Sequence, residues 1–186
     1  MKNWKKKNSK IILDDKFMRV RKDLLELPDG RKMEWTYWDS TDSVMVLGMT
    51  KEKKLIMIKQ YKYLVKDIIF EFPAGRLEKG EKFEAGAKRE FEEETGYKTN
   101  SLVKLGSFFE TYSQLNRQIH IYFSDNVLKS RKNPDKGSKG FEDLKILLVD
   151  WEEAVNLARE NKIVAMGCSL AILLLKEKIE TGEIII

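Results

Sequence analysis

No stretch narrows the fold of this chain more than Lys82 to Glu94. It has no proline, is built from good helix formers and stops at Thr95-Gly96, where glycine can adopt the left-handed conformation that ends a helix. A helix is therefore expected there. At ~100° per residue, Glu90, Glu93 and Glu94 share an arc about 100° wide, while Glu92 points elsewhere. Local physics opposes this face. Glu90 and Glu94 are a like-charge pair one turn apart, worth about 0.2–0.5 kcal/mol of repulsion. All three acids also crowd the negative end of the helix dipole, a penalty of roughly 0.3–1 kcal/mol each. From the residues alone two readings stand. One is an acidic solvent face on which Arg89 pairs with Glu93 four residues on. The other is a set of oxygen ligands for a hard divalent cation such as Mg²⁺ or Mn²⁺, which would reverse the sign of these terms.

The surrounding pattern is one of strands. Phe17 to Leu25 and Lys32 to Trp38 alternate polar and apolar residues across the turn Leu27-Pro28-Asp29-Gly30, which predicts an aromatic-rich hairpin. Ser43 to Met49 and Lys54 to Tyr61 follow, then a short apolar piece, Ile68 to Phe72, that ends at Pro73. After the helix, strands are expected at Leu102 to Thr111 and Gln118 to Phe123. In the second, Ile119, Ile121 and Phe123 face one way and Gln118, His120 and Tyr122 the other. His120 is the only histidine and is expected to be a hydrogen-bonded sheet residue, since one imidazole cannot build a histidine metal site. Lys129 to Gly140 is a basic loop, suited either to a phosphate-bearing ligand or to a solvated insertion. Leu144 to Val149 then leads to helices at Trp151 to Asn161 and Met166 to Ile179. Strands, one helix, more strands and two terminal helices predict an α+β sandwich.

Composition sets the limits on class. At 186 residues and 42% hydrophobic, the chain can bury one core without disulfides. Its single cysteine, Cys168, lies in an apolar stretch and is expected to be a buried, inert thiol. The longest apolar run is the six residues Leu170 to Leu175, far short of the roughly 18–20 that span a bilayer. Ile11-Ile12-Leu13 runs straight into Asp14-Asp15, so no signal-peptide core is read and a cytoplasmic protein is expected. The net charge of +5 is concentrated at the start: Lys2, Lys5, Lys6, Lys7 and Lys10 face no acid within residues 1–10, so the remainder sums to zero. That basicity is read as a tail, either a solvated solubility feature or a weak contact for phosphate or anionic lipid. The neutral body lowers the odds of a nucleic-acid module.

The helix sits inside a longer pattern: Gly75, five residues, Glu81, seven residues, Arg89-Glu90-Phe91, one residue, Glu93-Glu94, one residue, Gly96-Tyr97. This resembles the Nudix box, G-x5-E-x7-R-E-U-x-E-E-x-G-U, where U is a bulky apolar residue. At ordinary residue frequencies a chance match is on the order of one in 10⁵. Lys59-Gln60-Tyr61-Lys62 followed by Glu71-Phe72-Pro73-Ala74-Gly75, and later Glu142-Asp143-Leu144, resemble the "RQYR … ELPAG" and "EDI" signatures of the ADP-ribose pyrophosphatase branch. The resemblance implies the Nudix α/β/α sandwich with a mixed sheet (residues 42–186), preceded by an antiparallel β extension (residues 1–41) that serves homodimerisation.

It further implies hydrolysis of a nucleoside diphosphate-linked small molecule, such as ADP-ribose or a nucleoside diphosphate sugar, with Mg²⁺ or Mn²⁺. Glu90 and Glu94, the Ala74 carbonyl, Glu93 and Glu142 would be the metal ligands, and Arg89 would hold the carboxylate array in place. Glu81 would brace the loop or assist a metal. Arg76, Lys62, Ser113 and Trp35 would meet substrate. Trp35, Tyr37 and Trp38 are open to two readings, stacking on a nucleobase or packing in a core or dimer. The chain departs from the branch after the box. Ser113-Gln114-Leu115-Asn116-Arg117-Gln118-Ile119-His120 is shorter than the "SPGxSxExIH" segment and has Arg117 where an acid would stand. Glu142 is therefore the first candidate for the general base and Glu93 the second. The altered segment leaves two alternatives in view, a catalytically silent Nudix-fold nucleotide sensor and a hydrolase of capped RNA or dinucleotides.

Overall fold

A computed structural model describes residues 3–130 and 144–186. The basic loop beyond Ser130 and the candidate base Glu142 lie outside the described residues. The chain divides into two compact units: residues up to Asp42 together with Phe108–Gln118, and Ser43–Ser107 together with Ile119–Ile186.

The first unit holds an antiparallel sheet of β1 (Lys5–Asp14), β2 (Arg19–Glu26) and β3 (Lys32–Trp38), in that order. The expected hairpin is β2–β3. Gly30, at φ 86°, donates its N–H to the Leu27 carbonyl at 3.0 Å, which closes the turn. The lysine-rich start is not a tail. It is strand β1, whose backbone pairs with β2 from Lys5 opposite Glu26 to Asp14 opposite Arg19. Every β1 side chain except the half-buried Ser9 is exposed, so hydrophobic alternation, which reports burial on one face, had nothing to register.

The second unit carries a mixed sheet. Its strands are β4 (Ser43–Met49), β5 (Lys54–Lys62), β6 (Asp67–Glu71), β7 (Ala74–Arg76), β9 (Val103–Phe109), β10 (Gln118–Ser124) and β12 (Lys145–Asp150). The order is β12-β5-β4-β10-β9, with β6 added to β5 and β7 to β4. β10 runs parallel to β4, whereas β5 and β7 run antiparallel to it. A separate pair joins β8 (Tyr97–Thr99) to β11 (Val127–Lys129). Among the described residues three helices complete the fold: α1 (Phe83–Thr95), α2 (Trp151–Arg159) and α3 (Met166–Glu180).

Alternation along β4 divides the core. Val44 and Val46 pack with Ile56, Ala87, Phe91 and Tyr122 beneath α1. Met45 points to the other face, where its Cε approaches Gly167 of α3, and the Cys168 sulfur accepts the Phe72 N–H at 3.4 Å. The sheet thus lies between α1 and α3. Phe91 is fully buried, and burying such a ring stabilises by roughly 1.5–3 kcal/mol. Burial pushes the Cys168 thiol up to about 12, so it stays protonated and inert. β10 differs from its expected polar face. Ile119 to Ser124 are all buried, because the strand is covered on both sides. His120 sits there with Nδ1 2.7 Å from the Ser107 hydroxyl and its ring centroid 4.0 Å from that of Phe83. No described helix is long and apolar enough to cross a membrane.

Candidate active site

Two elements bring the carboxylates of α1 against a backbone loop. The helix starts after Lys82 and ends at Gly96, which takes φ 68° and donates its N–H to the Glu92 carbonyl. Facing it, β7 pairs with β4, placing Met45 opposite Ala74, Val44 opposite Gly75 and Ser43 opposite Arg76. Glu90 reaches across to Gly75. A Cβ on residue 75 would lie 2.1 Å from the Glu90 carboxyl carbon, so only glycine leaves that space to the carboxylate. Next to it, Glu94 Oε2 accepts the Ala74 N–H at 2.9 Å.

Arg89 ties the acids together. Its Nε and Nη2 take the two oxygens of Glu81, each at 2.8 Å, in the forked geometry a guanidinium favours. Nη1 donates to Glu90 Oε1 at 2.8 Å and to Glu93 Oε2 at 3.1 Å. Nη2 also reaches the Arg76 carbonyl at 3.3 Å. Glu81 Oε2 takes the Glu78 N–H at 3.0 Å as well. The pKa consequences differ. Hydrogen bonding to Arg89 holds Glu81 at about 2 despite its burial. Burial pushes Glu90 upward, against the opposing pull of Arg89. The Glu81 hydrogen bond raises Arg89, which stays charged at any working pH.

Among the described residues, no three carboxylate, imidazole or thiol groups are gathered as a ready set of metal ligands. Arg89 stands between Glu90 and Glu93 instead. The residues nevertheless fit a hard divalent cation. The donors are all oxygens, the cradle at Gly75 is one a Cβ would fill, and three acids share one guanidinium. Glu92, which points off the acidic arc, has a different partner. It accepts the Ser130 hydroxyl, and the Ser130 N–H bonds the Gly96 carbonyl at 2.8 Å.

The structure thus brings Ala74, Arg89, Glu90, Glu93 and Glu94 together, with Arg76 joined through its carbonyl. Lys62 is ion-paired to Glu71 at 2.8 Å, and Gln60 donates to the same oxygen at 2.9 Å. Trp35 and Ser113 meet within the first unit, where the indole N–H donates to the Ser113 carbonyl at 3.1 Å. They line a cavity of about 200 Å³ with Tyr37, Tyr112, Leu115 and Asn116. Trp38 does not line it and lies under the Arg117 guanidinium, 5.4 Å from the ring centroid. No motif in the sequence marks Tyr112 or Asn116 as part of that lining. Asn116 could have been found only through its tertiary bonds, to the Asp39 carboxylate at 2.8 Å and from the Ser40 N–H at 2.9 Å.

Comparison with known proteins shows the family. The Nudix domain matches residues 39–165, and the nucleoside diphosphate sugar hydrolase N-terminal domain matches residues 4–37. The chain is 32% identical over 163 residues to an ADP-ribose pyrophosphatase of Bacillus subtilis (strain 168), covering 86% of each chain. It is also 32% identical over 152 residues to a methanol dehydrogenase activator of Bacillus methanolicus, covering 82% of this chain and 81% of that one. A crystal structure of an ADP compounds hydrolase superposes with a TM-score of 0.83 over 98% of this chain and 97% of the other, at 18% identity, and so shares the fold. The box geometry, both domain matches and the similarity along most of the chain place it in the Nudix family, as a Nudix pyrophosphatase.

Proposed function

We propose that the enzyme hydrolyses the diphosphate bond of ADP-ribose or a related nucleoside diphosphate sugar, with Mg²⁺ as the working cation and Mn²⁺ as a substitute. Water adds across the P–O–P bridge. One phosphorus gains the hydroxyl, the other phosphate departs with the bridging oxygen, and the products are a nucleoside monophosphate and a sugar phosphate. The observation that carries this reading is the Glu90 carboxylate seated on Gly75 beside the Ala74–Glu94 hydrogen bond. Glu90, Glu93, Glu94 and the Ala74 carbonyl would hold the cation, joined by Glu142. When bound there, the cation supplies charge neutralisation for the diphosphate and a more acidic water.

The remaining roles belong to the chain itself. Arg89 keeps the acids from splaying apart. Glu142 takes the proton of the attacking water, with Glu93, the half-exposed member of the array, as the second candidate. Exposed Arg76 meets the diphosphate, and Lys62 can do so only by exchanging Glu71 for a phosphate oxygen. Trp35, with Ser113 at its indole nitrogen, offers a stacking surface for the base. Residues 1–41 form the extension through which two copies associate. Exposed Ile11, Ile12 and Leu13 on the N-terminal sheet, with exposed Phe17 in the turn after β1, support that role, and sedimentation of the chain with and without residues 1–41 tests it.

The deciding assay presents ADP-ribose, GDP-mannose, UDP-glucose, NADH and a dinucleoside polyphosphate with Mg²⁺, then repeats the panel on Glu94→Gln and Glu142→Gln. Turnover of a nucleoside diphosphate sugar that falls by at least about 100-fold in both variants is the expected result. Tight binding of one compound with no turnover of any would instead identify a silent nucleotide sensor. Full activity in Glu142→Gln would move the base to Glu93.

A further inference from the structure

We infer that Gly86, which is not a fixed position of the box pattern, is a positioning residue for the acidic site. Glycine inside a helix is locally unfavourable, and Gly86 lies within α1, bonded through its N–H to the Lys82 carbonyl at 3.0 Å. Its lack of a side chain admits two groups from the preceding loop. A Cβ at 86 would lie 2.3 Å from Leu77 Cδ2, 2.9 Å from Glu81 Oε2 and 3.2 Å from the Glu81 carboxyl carbon. The oxygen it would strike already receives Arg89 Nη2 at 2.8 Å and the Glu78 N–H at 3.0 Å.

The consequence passes from Gly86 to Glu81, then to Arg89, then to the array. With Glu81 seated against bare helix backbone, Arg89 spends Nε and Nη2 there and turns only Nη1 toward Glu90 and Glu93. Push Glu81 away and the guanidinium is released to close on Glu90 and Glu93, competing with a cation for their oxygens. Gly86 therefore sets how strongly the protein's own cation opposes an added one. This rests on the reading that Glu90 and Glu93 hold a divalent ion.

The test is Mn²⁺ titration of the full chain without nucleotide, followed by the electron paramagnetic resonance of free Mn²⁺. It compares the parent, Gly86→Ala, Glu81→Gln, the Gly86→Ala/Glu81→Gln double variant and the Gly86→Ala/Leu77→Ala double variant. Gly86→Ala is expected to weaken Mn²⁺ binding roughly 10- to 100-fold, although alanine is the better helix former. Combining it with Glu81→Gln is expected to add no further loss, since both act through one carboxylate. Leu77→Ala removes the apolar overlap, so the second double variant should be relieved of that contact and still bind Mn²⁺ as weakly as Gly86→Ala. Parental affinity in Gly86→Ala, additive losses with Glu81→Gln, or affinity restored by Leu77→Ala would each overturn the inference alone. A parent that binds no Mn²⁺ would overturn it together with the cation reading.

Discussion

Glu81 and Glu90 are the same residue type on the same guanidinium, yet their surroundings drive them in opposite directions. Glu81 keeps both oxygens on Arg89 and adds the Glu78 N–H, so its charged form is favoured and its pKa sits at about 2. Glu90 is driven into the cleft over Gly75, where loss of water outweighs the single bond from Arg89 and raises its pKa. The stability linkage follows from the sign of the first shift. A carboxyl depressed from the ordinary 4.5 to about 2 stabilises the fold fully above pH 4.5 and loses that contribution as pH falls toward 2. Glu81→Gln should therefore lower stability at pH 7, by up to about 3 kcal/mol, the full linkage of a drop from 4.5 to about 2. Urea unfolding should show the same gap to the parent at pH 7 and 5 and a narrower one at pH 3. A gap that stays constant would mean that Glu81 acts by shape alone.

Among the elements, α1 was read from the sequence to within one residue at each end, because it has a run of helix formers and a stop at Gly96. Fixed spacing also showed that Glu90, Glu93 and Glu94 share one face. Spacing could not show that Arg89 spends most of its fork on Glu81, eight residues away, because the loop must first fold back on the helix. The three-residue strands β7, β8 and β11 are too short to carry a period. Alternation predicts one polar face for β10 because it cannot distinguish a strand covered on both sides. β1 carries no periodic signal for the opposite reason, having no covered side. It is an edge strand ten residues long, and such an edge invites pairing with other chains unless something blunts it. Its lysines and the register shifts at Lys6/Asn8 and Ile11/Leu13 do so. Replacing Lys5, Lys6 and Lys10 together by threonine should leave the circular dichroism spectrum unchanged. It should raise the aggregation rate at 37 °C several-fold, as followed by light scattering.

For the whole molecule, the acids of α1 have one counter-charge within the chain, Arg89, and in the proposed function a second, the added cation. Chelation should therefore leave the far-ultraviolet spectrum intact while ending hydrolysis. Mg²⁺ at about 100 times its dissociation constant should add about 2.7 kcal/mol to stability by mass action, visible as a higher unfolding midpoint in calorimetry. In Glu94→Gln that rise should largely vanish. An unchanged midpoint in the parent at saturating Mg²⁺ would count against a cation held by these residues. The +5 charge does not bear on this balance, since the lysines responsible lie at the start of the chain and its body is neutral.

The pairing of β7 with β4 acts as a ruler. Because neighbouring residues of a strand turn to opposite sides, threading β7 one residue late would bring Ala74 or Arg76 to the place opposite Val44 and present a side chain where Glu90 requires none. Length changes should then be unequally tolerated along the chain. An extra residue in the solvent-exposed turn 63–66 leaves that alignment untouched, whereas the same insertion between Phe72 and Ala74 should leave a folded but inactive protein.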